Sequence, residues 1–310
     1  MGISREQALD CFRSDDLVGI GMEADMVRRR LHPEGVVSYF LSRSIAIEVA
    51  ALLGDPLANA CEEIDEAIEM GGTGVRILIE TDHRATAAVE RLNGLERLFQ
   101  GVRQRFPALW IEGLSAGEIS ALARACGLGL PELLARLRGA GMDSMDSIAG
   151  DSAAMDFQDW LGVHGAAHHL GMRTAATMVF GTGEIPEQRV GFLEAVRQLQ
   201  QETGGFTAFV PVAAEAPGGR ELDGATAVER LKMLAISRMF LESIENVQSS
   251  RAGQGLKVLQ TGLRFGANDV GTVDAGAANG DAEEDLRRII RDAGFRPAQR
   301  DALYRTMFLN

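Results

Sequence analysis

Eight short runs of strand character, each followed by a helical pattern or an interval long enough for one, constrain this chain more than any other feature. They are Val36–Leu41, Gly74–Ile79, Leu109–Gly113, Asp143–Ile148, Thr174–Phe180, Gly205–Val212, Val247–Ser249 and Asn268–Thr272. Helical patterns lie between them, among them Leu57–Met70, Val89–Arg105, Ala116–Cys126, Phe157–Leu170, Pro186–Glu202 and Ala225–Leu241. Runs such as ATMVFG and FTAFVPV are apolar on both faces, as strands enclosed by a barrel core and an outer ring of helices must be. The pattern predicts an α/β chain folded as a closed (β/α)8 barrel of the TIM type. An open doubly wound sheet is less well supported, because no G-x-G-x-x-G follows an early strand. Two helices, Ser4–Ser14 and Met22–Leu31, precede the first strand, with Ser4 and Gln7 spaced as a capping box. With no internal repeat and no linker, the expectation is one domain over 1–310. It divides into an N-terminal helical extension (1–35), the barrel (36–275) and a C-terminal loop and helix (276–310).

A chain of 310 residues, 46% hydrophobic and 24% charged, is long enough to bury such a core. Its formal charge of −13 argues against nucleic acid and anionic membranes, both of which need a basic face. Arg28–Arg30 and Arg287–Arg291 fall in amphipathic helical patterns and read as solvated faces. No apolar run approaches the roughly 20 residues of a membrane span. The N-terminus reads as a capped helix rather than a signal peptide, and Glu6 stands where a myristoylation pattern wants serine or threonine. The expected location is therefore cytoplasmic. Cys11, Cys61 and Cys126 are scattered, and no two have ligand spacing for zinc or an iron–sulfur cluster.

Polar residues gather on the stretch Asn246–Gly271: Gln248, Ser249, Ser250 and Arg251 after one strand run, Asn268 and Asp269 at the next. Side chains on loops that follow strands build the binding mouth of a β/α protein; the same residues also cap helices and satisfy loop backbone. Carboxylates recur around the expected rim at Glu80, Asp82, Glu112, Asp146 and Glu215. Two facing carboxyls can act as acid and base, or hold a divalent cation; on an acidic protein they are also ordinary solvated charges. His83, beside Asp82, has the position of a general base. His164 and His168 lie four apart with metal-ligand spacing, but on an outer helix, which favours packing, and no metal site is expected. There is no G-x-S-x-G elbow and no P-loop, only a weak Gly181-Thr182-Gly183 turn for phosphate.

The blocks ADMVRRRLHPEGVVSYFLSR (Ala24–Arg43), ETGGFTAFVP (Glu202–Pro211), LAISRMFL (Leu234–Leu241), the Asn246–Gly271 stretch and RRIIRDAGFRPAQRDALY (Arg287–Tyr304) resemble the dehypoxanthine futalosine cyclase family. That family consists of radical S-adenosylmethionine (SAM) enzymes of menaquinone biosynthesis, and the resemblance implies a radical-SAM-type barrel. It also implies three cysteines spaced C-x3-C-x2-C after strand one, holding a [4Fe–4S] cluster that binds and cleaves SAM. Here strand one runs into AALLGDPLANACEEIDEA with Cys61 alone, and one thiolate cannot hold such a cluster. The family's glycine pair after strand two is replaced by Ile79-Glu80-Thr81-Asp82-His83, and Arg251 stands where the family usually has tryptophan. The expectation is a homologue with no [4Fe–4S] cluster and no other cofactor, which puts SAM binding in doubt. Its catalytic candidates are Glu80, Asp82, His83 and Arg251. Its substrate-binding candidates are Glu112, Asp146, Thr177, Glu215, Gln248, Ser250, Asn268 and Asp269. Two functions stand beside each other: a repurposed enzyme using acid–base or electrostatic catalysis on a small molecule, or a non-catalytic homologue that binds a metabolite or partners an active enzyme of menaquinone (futalosine-pathway) metabolism. The expected partners are a small-molecule ligand and a second copy of the chain or an active enzyme.

Overall fold

Ser4 starts helix α1 (Arg5–Arg13) with a reciprocal cap, accepting from the Gln7 amide while the Gln7 side chain accepts from the Ser4 amide. Asp16 caps α2 (Leu17–Leu31) by accepting from the Gly19 amide at 2.8 Å. This helix begins before the expected Met22. Two glycines hide its start from a propensity reading, and Gly21 is there for contact: a Cβ on it would lie 2.8 Å from the Phe265 ring. The computed structural model describes residues 2–54, 56–80, 87–146, 155–214, 225–250, 255–276 and 280–309.

Strands and helices then alternate. The first half runs β1 (Val36–Glu48), α3 (Val49–Leu53), α4 (Leu57–Glu69), β2 (Gly74–Glu80), α5 (Ala88–Arg105), β3 (Trp110–Gly113), α6 (Ala116–Cys126), α7 (Leu130–Ala140) and β4 (Ser144–Met145). The second runs α8 (Phe157–His169), β5 (Thr174–Phe180), α9 (Pro186–Thr203), β6 (Phe206–Ala213), α10 (Ala227–Phe240), β7 (Asn246–Val247), α11 (Gly255–Gly262) and β8 (Asp269–Asp274). Helix α12 (Gly280–Asp292) and strands β9 (Arg296–Arg300) and β10 (Thr306–Leu309) complete the described chain.

Every ladder among the first eight strands is parallel. β1 pairs with β2 over Ser42–Glu48, β2 with β3, and β3 with β4. On the other side β5 pairs with β6 and β6 with β7. A bridge from Gln248 to Asp269 joins the β7 side to β8, and β8 returns to β1 over Ser38–Ser42. The strands therefore curl round one axis in chain order, as a β/α barrel requires. Among the described residues no ladder joins β4 to β5.

Alternation along β1 divides the chain physically. Val37, Tyr39, Leu41, Ile45 and Ile47 are buried, while Ala46 and Glu48 on the opposite face are exposed at its C-terminal end. Phe99, Phe180 and Phe209 are fully buried, and each such side chain contributes about 1.5–3 kcal/mol.

The expected C-terminal loop and helix are only part of that segment, because two strands follow α12. β9 lies parallel to the start of β1, with Val36 opposite Arg296 and Phe40 opposite Arg300, and β10 folds back antiparallel on β9. Pairing between the two ends of the chain leaves no local periodicity to read. Its consequence is positional: the β9–β10 turn lies against the N-terminal ends of the barrel strands.

Candidate functional site

A cavity of about 190 Å³ occupies the barrel interior. Strand starts supply its lower wall: Trp110 of β3, Ser144 of β4 and Thr174 of β5. Gln248, Ser250 and Thr272 line it from the β7 and β8 side, and Phe40 from β1. Arg300, Ala302 and Tyr304 enter from the C-terminal hairpin. The space thus begins at the N-terminal ends of the strands, deeper than the rim on which sequence reasoning concentrates.

Glu112 is the chemically distinctive group here. It projects from β3 into the cavity, half-buried, and accepts no hydrogen bond from a described residue. Burial, reinforced by the nearby Asp146, pushes its carboxyl up to about 7, and the Arg76 and Arg300 guanidinium groups only partly offset this. Arg76 stands 3.8 Å from Asp146, and its Nε is buried with no partner. The Gln248 carboxamide and the Thr272 hydroxyl make no hydrogen bond to a described residue. The cavity therefore pairs a carboxyl that titrates near neutrality with an amide that both donates and accepts.

Arg300 is held in place from behind. Its Nε donates to Asp269 at 2.6 Å and its Nη2 at 3.1 Å, in a fork geometry suited to a carboxylate. Asp269 also accepts from the Ser38 hydroxyl at 2.6 Å and from the Gly271 amide at 2.8 Å. The Tyr304 ring lies over the Arg300 guanidinium at 3.7 Å.

The expected site residues separate into three groups. Glu112, Gln248 and Ser250 come together on the cavity wall. Asp146 sits beside Arg76 and within electrostatic reach of Glu112, while Thr177 is buried in β5 and does not line the cavity. Asn268 and Asp269, expected to meet ligand, instead hold the protein together. Asn268 accepts from Arg238 at 2.6 Å and from the Val247 amide at 2.9 Å, and donates to Asn246 at 2.8 Å. Its polar atoms are spent on the junction of α10, β7 and β8, as those of Asp269 are spent on β1 and β9. Glu80 ends β2, and Asp82, His83, Glu215 and Arg251 lie outside the described residues. Sequence reasoning missed Trp110, Arg173, Thr272, Arg300 and Tyr304; the one available signal for Arg300 was a charged residue in a short run containing Phe295 and Ala298.

The outer-helix histidines are packed as their position suggested. His164 Nδ1 and His168 Nε2 lie 2.9 and 2.8 Å from the Thr174 hydroxyl, and His168 Nδ1 lies 2.8 Å from the Thr203 hydroxyl. Trp160 and Phe206 pack against His164. Among the described residues no three His, Cys, Asp or Glu side chains are grouped to hold a metal ion. Cys11 lies in α1, Cys61 in α4 and Cys126 at the end of α6. No helix among the described residues is long and apolar enough to cross a membrane.

Comparison with known proteins agrees over nearly the whole chain. Residues 203–309 match the CofH/MqnC C-terminal region. The cyclic dehypoxanthine futalosine synthase of Streptomyces coelicolor is 31% identical over 347 positions, covering 97% of this chain and 85% of that protein. The corresponding enzyme of Halalkalibacterium halodurans is 28% identical, with 97% and 90% covered. In structure the chain is similar to methylornithine synthase (PylB), with a TM-score of 0.66 at 14% identity over 96% of this chain and 95% of that one. The [FeFe]-hydrogenase maturase HydG also gives a TM-score of 0.66, at 12% identity over 98% of this chain and 74% of that one. The chain therefore shares its fold with these two proteins.

Proposed function

The chain belongs to the cyclic dehypoxanthine futalosine synthase family, and from that premise we infer that it is a member working without an iron–sulfur cluster, acting on a small polar molecule inside its barrel. The observation that carries the reading is Glu112: a carboxyl facing the cavity, unbonded to any described residue and titrating near neutrality. Folding gains nothing from such a group, since a buried carboxyl without partners costs stability. Its persistence is what a ligand-binding acid or base requires.

The thiols support the first half of the inference. A [4Fe–4S] cluster needs about three thiolates on one loop or cradle even when SAM completes the coordination. Here Cys11 is on α1, which packs on α9 and α10; Cys61 is on α4, against β1 and α5; Cys126 ends α6, against α7 and α8. This donor set does not fit a cluster. The alignment with the Streptomyces coelicolor relative runs over 347 positions against 310 residues in this chain, so that relative carries residues with no counterpart here.

In the chemistry that remains, Glu112 gives or takes a proton at a ligand group seated between it and Gln248. Arg76, with an unpartnered Nε, and Arg300 stabilise negative charge that develops nearby. Gln248 and Ser250 orient the ligand from the opposite wall. The test is anaerobic reconstitution followed by iron analysis and a search for 5′-deoxyadenosine under reducing conditions. Futalosine-type nucleosides are then titrated calorimetrically into the wild type and Glu112→Gln. Stoichiometric iron with SAM cleavage would refute the cluster-free reading.

A second reading, a non-catalytic homologue that partners an active enzyme of futalosine-pathway metabolism, is supported by the outer face of α2. Val18, Met22 and Met26 lie one helical turn apart and are 69, 65 and 69% exposed. Unchanged ligand binding by Glu112→Gln, with no turnover by either protein, would favour it.

A further inference from the structure

Arg173 immediately precedes β5 and shares the inward face of that strand with Ala175, two residues on; both line the barrel cavity. Arg173 and Trp110 also line a second cleft of about 540 Å³ on the N-terminal face, so the two side chains stand together at the N-terminal end of the cavity. Trp110 is fixed there by its Nε1, which donates to the Ser144 hydroxyl at 3.0 Å. Glu112 follows Trp110 by two residues on the same face of β3, about 6.6 Å further along the strand.

Three guanidinium groups, Arg76, Arg173 and Arg300, lie in or beside the cavity, and they differ in what balances them. Arg300 is paired with Asp269, and Arg76 stands 3.8 Å from Asp146. Arg173 forms no ion pair with a described residue. Its Nη1 donates to the carbonyl of Gly204, the C-cap of α9, while its Nε and Nη2 make no hydrogen bond to a described residue. Capping explains only part of this placement, because a helix C-terminus carries about half a negative charge against the full positive charge of a guanidinium. The same contact holds the group still, so its remaining donors are positioned in advance. Glu112 does not supply the missing charge, since burial keeps its carboxyl protonated up to about 7.

We propose that Arg173 is a specificity residue of the barrel site, anchoring an oxyanion at the N-terminal end of a ligand that also meets Glu112 and Gln248. The ligand class is an organic acid, a carboxylate or a phosphate ester; a neutral molecule of the same shape lacks the anchor. A guanidinium suits either group, because its parallel N–H donors match two oxygens at once. The proposal rests on the cavity being the ligand site, and the probes are chosen so that the two claims fail separately.

Benzoate, phenyl phosphate and benzamide are titrated by calorimetry into the wild type, Arg173→Gln, Arg173→Met and Glu112→Gln, with circular dichroism confirming the fold of each. The wild type should bind the better of the two anions at least about fivefold more tightly than benzamide, a modest factor because water reaches Arg173 from the cleft. Which anion binds more tightly identifies the oxyanion. Both Arg173 variants are neutral, so either one tests the anchor if the other fails to fold. They should abolish the preference for the anion and leave benzamide affinity little changed, a split that loss of the α9 cap alone would not produce. No preference in the wild type, or a preference that survives in a folded Arg173 variant, overturns the proposal. If benzamide binding nevertheless weakens in Glu112→Gln, the cavity reading stands and only the role of Arg173 falls. No binding of any probe to the folded wild type overturns both.

Discussion

Replacing Glu112 by glutamine should stabilise the protein above neutral pH while impairing ligand binding. The folded carboxyl titrates near 7 against an ordinary 4.5. Between those values the folded state binds more protons than the unfolded one, so stability falls as pH rises through that interval. At about 1.4 kcal/mol for each tenfold change in proton affinity, the full loss is about 3 kcal/mol once pH passes 7. Water reaching the cavity screens part of it, so about 1.5–3 kcal/mol is the working range. Glutamine keeps the shape and never ionises, so the variant escapes this loss. An unfolding entropy of about 2.1 cal/mol/K per residue converts the gain to about 2–5 °C in Tm. The assay is thermal unfolding of both proteins across buffers from acidic to alkaline. The two curves should lie close together at the acid end and separate on the alkaline side, with the variant higher. Parallel curves would refute the assignment of a raised proton affinity to Glu112, and a less stable variant at alkaline pH would refute the claim that the carboxylate is a cost to the fold.

The buried histidines tilt the acid side in the opposite sense. Burial holds His164 well below its ordinary 6.5 and His168 down at about 4. The unfolded state binds more protons below 6.5, so their contribution is complete above that pH and is lost as pH falls toward 4. His168 alone accounts for about 3 kcal/mol of that loss, and His168→Gln should flatten the acid-side fall in Tm; an unchanged slope would contradict it. The Asp269–Arg300 pair is almost wholly buried, so Asp269→Ala strands a guanidinium in the barrel and should cost about 3–5 kcal/mol in denaturant unfolding. A loss under about 1 kcal/mol would mean that the charge finds other compensation.

Much of the barrel was legible because its strands carry their own signal. Thr174–Phe180 is apolar on both faces, and the structure gives β5 those same bounds. β1 starts at Val36 and continues past the apolar run that ends at Leu41 to Glu48, the length implied by strand one running into Ala50. The site was legible only where a residue type and its strand position jointly point inward, as for Glu112, Gln248 and Ser250. Asn268 and Asp269 show the limit. A polar side chain beside a strand looks the same in sequence whether its atoms are left for ligand or bonded to Arg238 and Arg300. Arg300 and Tyr304 were beyond reach for a different reason: their place in the cavity depends on β9 pairing with β1 across nearly the whole chain.

That long-range pairing also explains how one barrel can hold so polar an interior. Glu112 faces another carboxylate in Asp146 and two guanidinium groups in Arg76 and Arg300, and the two kinds of charge act on it in opposite directions. The balance is then set by desolvation, the largest influence on the group, which favours the neutral acid. A ligand carrying positive charge would reverse it, because a cation near a carboxyl favours ionisation. Binding such a ligand near neutral pH should therefore release a proton, whereas a neutral hydrogen-bond acceptor should bind with proton uptake. Calorimetric titrations in buffers of different ionisation enthalpy separate the two. Proton exchange that survives Glu112→Gln would show that another group, and not this carboxyl, answers to the ligand.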